Sequence, residues 1–205
     1  MLLSITKSYL HIIKNYDEYT YSHHKRVAYI SKLIAMNLGI YGKSLRVLVI
    51  AALLHDIGKI WIPTQLLNKS GKLTSLEYEI IKEHPQKAYE LLKNCKLFKH
   101  AAKVVLQHHE REDGSGYPFG LNSSQILMES KIIAVADTFD AMCSHRPYRA
   151  RLHDKELFEQ LLGCKGKLNE RVIDAFLAQV QRNKVLGWQS KEDTCQVPYL
   201  RASYE

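Results

Sequence analysis

The residues best suited to chemistry lie between His108 and Pro118, where the chain reads HHEREDGSGYP. Two adjacent imidazoles are followed there by acidic residues and by a glycine-rich loop that ends in proline. A histidine doublet alone is weak evidence for a metal site, because exposed pairs of histidines are common. When other metal-type donors accompany it, the doublet predicts a metal site beside a substrate loop.

Further donors occur in apolar surroundings elsewhere in the chain. His55 and Asp56 directly follow the apolar run 45–54, and Asp137 interrupts the helical apolar pattern KIIAVADTFDAM. Polar and charged groups are costly to bury unless they are paired or bound to a metal. The candidate donors are five histidines and two aspartates: His23, His55, Asp56, His84, His108, His109 and Asp137.

The types and number of these donors indicate which metals fit and how many. Imidazole and carboxylate without thiolate suit iron, manganese, zinc or nickel better than calcium, magnesium or copper(I). Seven donors are too many for one ion, whereas two ions about 3.5 to 4 Å apart would use all of them through one bridging carboxylate. Asp56 is the expected bridge. Lys59 follows Asp56 by three residues, so on a helix its ammonium shares that face and can steady an oxyanion.

In order and spacing, these motifs resemble the HD-GYP domain, a bacterial subgroup of the HD metal-dependent phosphohydrolases. The similar stretch runs from about Asp17 to Leu177 through DEYTYSHHKRV, AALLHDIGKIWIP, KLTSLEYEIIKEHP, HHEREDGSGYPFGL, KIIAVADTFDAMCSHRPYR and VIDAFL. The resemblance implies the same seven ligands, with Asp56 and Lys59 as catalytic residues. It also implies a cyclic dinucleotide substrate, chiefly cyclic di-GMP, which is linearised to pGpG and often hydrolysed further to GMP.

The resemblance further implies residues that contact the substrate. Gly116, Tyr117 and Pro118 shape the loop that borders it, and Arg146 and Arg149 in RPYR meet its phosphates. Arginine suits that role because its planar guanidinium pairs with phosphate oxygens through two parallel hydrogen bonds.

Two positions near the first motif depart from a simple match. The doublet permits either His23 or His24 as the ligand. The family pattern places the ligand three residues after a threonine and four before a valine, as Thr20 and Val27 frame His23, so we expect His24 to be solvated or to support a ligand. Tyr19 stands where some members carry a glutamate for a third metal, and two metals are therefore expected.

Composition and periodicity predict one helical domain. The chain has 205 residues, 46% of them hydrophobic, which is enough to build a sizeable core. Strand signals are sparse, and the expected fold is an all-α helical bundle of the HD-domain phosphohydrolase type with a GYP substrate loop. Apolar residues recur at helical spacing in 27–34, 80–84, 132–136 and 172–177.

Connections are predicted at 39–43, 63–71, 113–122 and 146–154. The predicted organisation is a lead-in helix at 1–16, the HD-GYP domain at 17–182, and a C-terminal tail of unknown role at 183–205.

Charge, the first segment of the chain and the cysteine content indicate the class of ligand and the cellular compartment. The formal charge of +8 suits an anionic ligand, but no nucleic-acid-binding motif accompanies it. Residues 1–16 are too short and too often interrupted by lysine for a transmembrane span, and they lack the pattern of a signal peptide. The four cysteines are widely separated, which favours a reducing cytoplasm over a disulfide framework.

Three functions remain open on the sequence. The leading one is a cyclic di-GMP phosphodiesterase with two divalent ions, iron or manganese before zinc or nickel. A second is a phosphodiesterase for another cyclic dinucleotide such as 3′3′-cGAMP, because nothing in the loop distinguishes guanine from adenine. A third is a catalytically weak domain that binds nucleotide or a partner such as a diguanylate cyclase or a regulatory protein. Retention of every ligand and of Lys59 argues against the third.

Overall fold

The described residues, 2–143 and 154–183 of a computed structural model, are mainly helical, and neither range contains a β-strand. The prediction of an all-α fold is confirmed. The α-helices in these ranges are α1 Leu2–Tyr16, α2 Glu18–Asn37, α3 Gly42–Leu54, α4 Thr64–Leu67, α5 Ser75–Ile81, α6 His84–Lys93, α7 Lys99–Leu106, α8 Met128–Cys143, α9 Asp154–Leu162 and α10 Glu170–Asn183. Short 3-10 helices span Ile57–Trp61, Lys96–Phe98 and Ser123–Gln125.

Helices α2, α3 and α8 form the centre of the core. Helix α3 is apolar over most of its surface, and a helix of that kind has to be buried. Leu48 and Leu54 of α3 are completely buried, as are Val27 of α2 and Ile132 of α8. Because α2 packs against both α3 and α8, polar side chains on these helices can meet inside the bundle.

Helix α1 covers the predicted lead-in segment and packs against α2 and α3. Ile13 is buried in the shared core, and the Tyr16 hydroxyl donates a hydrogen bond of 2.8 Å to the carbonyl of Ile62. Asp17 caps α2, because its carboxylate accepts from the backbone amides of Tyr19 and Thr20. In the two described ranges, no helix combines the length and apolar character that crossing a membrane requires.

A glycine permits a close approach beside the predicted metal ligands. A Cβ atom at Gly58 would stand 1.9 Å from the carbonyl oxygen of His84 and 2.8 Å from the amide nitrogen of Ala88. Only glycine fits such a contact between backbones. Gly58 therefore lets the 3-10 helix Ile57–Trp61 pack on the first turn of α6, which brings His84 next to Asp56.

The predicted connections agree with the structure in part. Segment 39–43 overlaps the break between α2 and α3, segment 63–71 contains the four residues of α4, and 113–122 is irregular. The fourth connection, 146–154, lies outside the described residues except for its last position. The apolar spacing at 80–84 spans two helices, because α5 ends at Ile81 and α6 begins at His84, with Pro85 in its first turn.

Candidate metal centre

The seven predicted ligands lie together in one cluster, although they come from five separate parts of the chain. Each side chain is buried or half-buried. By element, they are His23 in α2, His55 and Asp56 directly after α3, His84 at the start of α6, His108 and His109 after α7, and Asp137 in α8. The packing of α2, α3, α6 and α8 therefore assembles donors that the sequence separates by more than one hundred residues.

The two carboxylate oxygens of Asp56 face different histidines. Oδ1 lies 3.0 Å from Nε2 of His84 and 3.7 Å from Nε2 of His108. Oδ2 lies 3.4 Å from Nε2 of His55 and 3.7 Å from Nε2 of His23. A carboxylate with one oxygen on each side is the arrangement that two neighbouring ions require of a bridge.

Asp56 thus separates two groups of donors. We call His84, His108 and His109 the loop-side group; their ligand atoms and one of Asp56 lie within 4.8 Å of one another. We call His23, His55 and Asp137 the α8-side group, whose ligand atoms meet the same limit. Oδ1 of Asp137 is 3.2 Å from Nε2 of His23 and 3.9 Å from Nε2 of His55.

The cluster fits a divalent metal on two observations. Nε2 of His55 and Oδ1 of Asp56 are buried and have no hydrogen-bond partner among the described residues. Buried polar atoms nearly always have a partner, and a bound cation would provide one for both. Imidazole nitrogen and carboxylate oxygen are also the donors that first-row transition ions accept.

Three of the histidines are oriented by backbone carbonyls. In each, Nδ1 donates to the carbonyl three residues earlier, which can only accept, so Nε2 is left with its lone pair toward the cluster. The pairs are His55 with Ala52 at 2.8 Å, His84 with Ile81 at 2.7 Å, and His108 with Val105 at 2.6 Å.

His23 is oriented by ionised side chains instead. Its Nδ1 lies 2.7 Å from Oδ2 of Asp140. Arg26 donates two hydrogen bonds to the same carboxylate, from Nε at 2.6 Å and from a terminal nitrogen at 2.9 Å. Burial would lower the pKa of His23, but hydrogen bonds to Asp137 and Asp140 outweigh it and raise the pKa to about 9. Sequence reasoning missed Asp140 and Arg26, although each follows a predicted ligand by three residues, on the same helix face.

Two of the loop-side histidines, His108 and His109, have lowered pKa values and are neutral near pH 7. Burial lowers the pKa of His108 to about 4, and burial with the neighbouring His108 and His84 holds the pKa of His109 well below its usual range. Burial alone would raise the pKa of Asp56, yet Lys59 and the surrounding histidines hold it well below its usual range. Nζ of Lys59 is 2.5 Å from Oδ2 of Asp56, and its side chain remains 27% exposed.

A buried carboxylate anchors the loop after the histidine doublet. Oε1 of Glu110 accepts from the amide of Phe119 at 2.8 Å, and Oε2 accepts from the amide of Leu121 at 2.9 Å. The side chain of Glu110 is buried, so both bonds are shielded from water. Glu110 therefore ties the start of the loop to its end. The sequence reading did not assign this role to it.

The predicted substrate loop borders the cluster. The ring of Tyr117 stacks on His109, with centroids 4.7 Å apart, and its amide donates to the His109 carbonyl at 3.2 Å. A Cβ atom at Gly116 would stand 2.3 Å from the amide nitrogen of Arg111, so the tight turn requires glycine. Pro118 follows Tyr117 through a cis peptide bond. The predicted phosphate contacts, Arg146 and Arg149, lie outside the described residues.

The two departures from the motif have different structural outcomes. His24 is completely buried, and its Nδ1 lies 2.9 Å from the carbonyl of Leu53. Of the two alternatives that we expected for His24, burial excludes the solvated one and leaves a supporting role open. Tyr19 is 47% exposed and lies under the guanidinium of Arg26, 6.0 Å from ring centroid to carbon. A phenol in that place offers a poor substitute for a ligating carboxylate.

The fold and the cluster define an all-α, metal-dependent class of protein whose donors are histidine and aspartate. Within that class, a family model described as HD domain matches residues 7–169, and the chain belongs to the HD domain family. The match begins inside α1, ahead of the boundary at residue 17 that we predicted for the domain. The family resemblance predicted from the motifs is confirmed.

Named relatives and a solved structure extend the comparison. The chain is 40% identical over 167 residues to a cyclic di-GMP phosphodiesterase response regulator of Xanthomonas campestris, covering 80% of this chain and 44% of the relative. It is 40% identical over 141 residues to a 3′3′-cGAMP-specific phosphodiesterase of Vibrio cholerae, covering 69% of this chain and 31% of the relative. The chain thus spans less than half the length of each.

The fold comparison agrees with the family. The HD domain of the Listeria monocytogenes phosphodiesterase PgpH, solved in complex with cyclic-di-AMP, superposes with a TM-score of 0.66. The match covers 91% of this chain and all of that domain at 16% sequence identity, and it supports the helical architecture.

Proposed function

We propose that this chain is a cyclic di-GMP phosphodiesterase that hydrolyses the cyclic dinucleotide to pGpG, to GMP or to both. The observation that carries the proposal is the position of Asp56, whose two oxygens face two separate groups of histidines. Curated relatives with 40% identity that act on cyclic dinucleotides support the substrate class.

Two divalent ions complete the proposed site. The loop-side group with Oδ1 of Asp56 would hold one ion, and the α8-side group with Oδ2 would hold the other. When bound, the ions supply positive charge to the phosphodiester and make water a nucleophile near neutral pH. Iron and manganese are the metals that we favour, and zinc and nickel suit the same donors.

Lys59 has the position of a phosphate-binding cation beside the metals. Its ammonium contacts Asp56, and its side chain is 27% exposed, which places this cation where a substrate bound at the cluster would meet it. We propose that it steadies the charge that develops on a phosphate oxygen during cleavage. Tyr117 supplies an aromatic wall on His109, and Gly116 and Pro118 shape the loop around it. Arg146 and Arg149 complete the proposal as phosphate contacts on the basis of the motif alone.

The second candidate substrate is 3′3′-cGAMP. The similarity to a 3′3′-cGAMP-specific phosphodiesterase, at 40% identity, favours keeping it. The two dinucleotides present the same phosphodiesters to the metals and differ in one base. A change of substrate would therefore leave the roles of Asp56 and Lys59 unchanged.

Anaerobic turnover of both dinucleotides with iron(II) or manganese(II) tests the proposal. Products are resolved as pGpG and GMP. Asp56→Ala is the test variant, and Asp174→Ala, which removes an exposed carboxylate paired with Lys165, is the control. We expect metal-dependent hydrolysis of cyclic di-GMP that is lost only in Asp56→Ala. Binding without turnover would instead support a nucleotide-binding adaptor that acts on a partner such as a diguanylate cyclase or a regulatory protein.

A further inference from the structure

His24 is a buried histidine next to a proposed ligand, and the site described so far does not use it. Its side chain is completely buried in α2, directly after His23. Nδ1 lies 2.9 Å from the carbonyl oxygen of Leu53, which can only accept, so Nδ1 carries the proton and Nε2 carries a lone pair.

The lone pair of His24 has no partner in the part of the chain that the structure describes. Nε2 is buried and makes no hydrogen bond to any described residue. Buried acceptors without a partner are rare in folded proteins, and one in an active-site region needs a specific explanation. Among the described residues, the same condition holds for Nε2 of His55 and Oδ1 of Asp56, which belong to the proposed metal site, and for Oγ of Ser31, which does not.

The position of His24 points to the same ion as His55. The two rings are 4.7 Å apart between centroids, against 6.0 Å between His24 and His23. One ligand atom from each of His24, His55 and Asp56 lies within 4.8 Å of the other two. Donors about 2.1 Å from one ion stand at most about 4.2 Å apart, so a small side-chain adjustment would place His24 in contact with that ion.

We propose that Nε2 of His24 is an eighth protein ligand, which binds the ion held by His55 and Asp56. The inference rests on the proposed two-ion site and extends it by one nitrogen donor. An added imidazole enriches the α8-side group in nitrogen and favours transition ions there over magnesium. The loop-side ion keeps its donor set and is unaffected.

Manganese binding to variants of His24 tests this proposal. The concentration of free manganese(II) is followed by electron paramagnetic resonance during titration of the metal-free wild type, His24→Ser and His24→Asn. His24→Asn keeps a side-chain donor for the Leu53 carbonyl and separates ligation from packing. The matched control is His100→Ser, which removes a half-exposed histidine paired with Glu129. Circular dichroism and thermal unfolding of the metal-free proteins establish that each variant is folded.

We expect both His24 variants to bind one of two ions at least about tenfold more weakly than wild type, with the second ion unchanged, as for loss of a group that supports a metal. His100→Ser should match wild type. The proposal is overturned if folded His24→Asn binds both ions as wild type does, or if crystals of the manganese-loaded protein show Nε2 of His24 bound to no ion. If wild type itself binds fewer than two ions, the two-ion site of the proposed function fails as well.

Discussion

The two halves of the metal cluster are held in place by different means. In the loop-side group, His84 and His108 are fixed by carbonyls of their own helical turns. In the α8-side group, His23 is fixed by Asp140, which is itself held by Arg26. His55, the other histidine of the α8-side group, is fixed by the Ala52 carbonyl, so the two halves differ at His23, whose orientation depends on a buried charged triad from two helices.

The difference also sets the charge of each half before metal binds. The pKa of His23 is raised to about 9, while the pKa of His108 is lowered to about 4. A metal that enters the α8-side group has to displace a proton, and one that enters the loop-side group meets a lone pair already available. The halves should consequently differ in their response to pH and to substitution of their supporting residues.

Loss of the shared carboxylate should break both halves and give the largest effect. We expect Asp56→Ala to reduce turnover of cyclic di-GMP by at least about a thousandfold, because metal ions contribute several kcal/mol of charge stabilisation. Tyr117→Ala removes only the aromatic ring that stacks on His109, and all the proposed metal ligands remain. We therefore expect turnover to fall by only about tenfold. Steady-state kinetics on folded variants compares the two, and equal losses would contradict the account.

Removal of the carboxylate that orients His23 should weaken metal binding only in the α8-side group. Asp140→Asn leaves every proposed ligand in place but exchanges the carboxylate that orients His23. We expect one of two ions to bind about 10- to 100-fold more weakly, which is the usual cost of losing such a partner. Isothermal titration with manganese measures both affinities. Asp174→Asn, at an exposed ion pair, is the control and should have no effect; equal weakening of both ions in Asp140→Asn would refute the division.

The stability of the metal-free protein should fall on both sides of about pH 6.5. His23 has a raised folded-state pKa of about 9, so its contribution is present below 6.5 and is lost as the pH rises through about 9. His108 has a lowered folded-state pKa of about 4, so the free energy of unfolding falls as the pH drops from 6.5 toward 4. Urea denaturation across this range measures both limbs.

Variants assign each limb of that profile to one half of the site. His23→Gln should flatten the alkaline limb and leave the acid limb in place. His108→Gln should weaken the acid limb, where the other buried histidines also contribute. If His23→Gln left the alkaline limb unchanged, the proposed charge difference between the halves would be wrong.

Weakening of the loop anchor should have the smallest effect on activity. In the wild type, the two oxygens of Glu110 accept hydrogen bonds from the amides of Phe119 and Leu121. Glu110→Gln replaces one of these oxygens by an NH2 group, which cannot accept, so one of the two hydrogen bonds is lost. We expect a loss of about 1 to 3 kcal/mol in the free energy of unfolding. KM should rise severalfold while kcat changes less, because Glu110 holds the loop that shapes the substrate side of the site and is not one of the proposed metal ligands. Glu129→Gln is the matched control, and a loss of kcat equal to that of Asp56→Ala would show that the anchor acts on the metals.

Much of this architecture follows from residue types and spacing. Apolar periodicity predicted helix at 27–34, 132–136 and 172–177, which lie in α2, α8 and α10, and costly polar residues in apolar runs predicted that His55, Asp56 and Asp137 would meet. The sequence reading did not find Asp140, because an acid in a helix has no evident partner until the helix that carries Arg26 is packed against it. For His24 it left a solvated or a supporting position open, because periodicity does not show which face of a core helix packs against the neighbouring helix. The break before His84 was missed although Pro85, in the first turn of α6, is a sequence signal for a helix start.

Electron paramagnetic resonance of the manganese-loaded chain reports both the number of bound ions and their separation. For a site bridged by Asp56 we expect two manganese ions per chain with a spin-coupled spectrum, as for ions about 3.5 to 4 Å apart, and loss of the coupling in Asp56→Ala. One ion per chain, or two ions with uncoupled six-line spectra in the wild-type protein, would contradict a site bridged by Asp56.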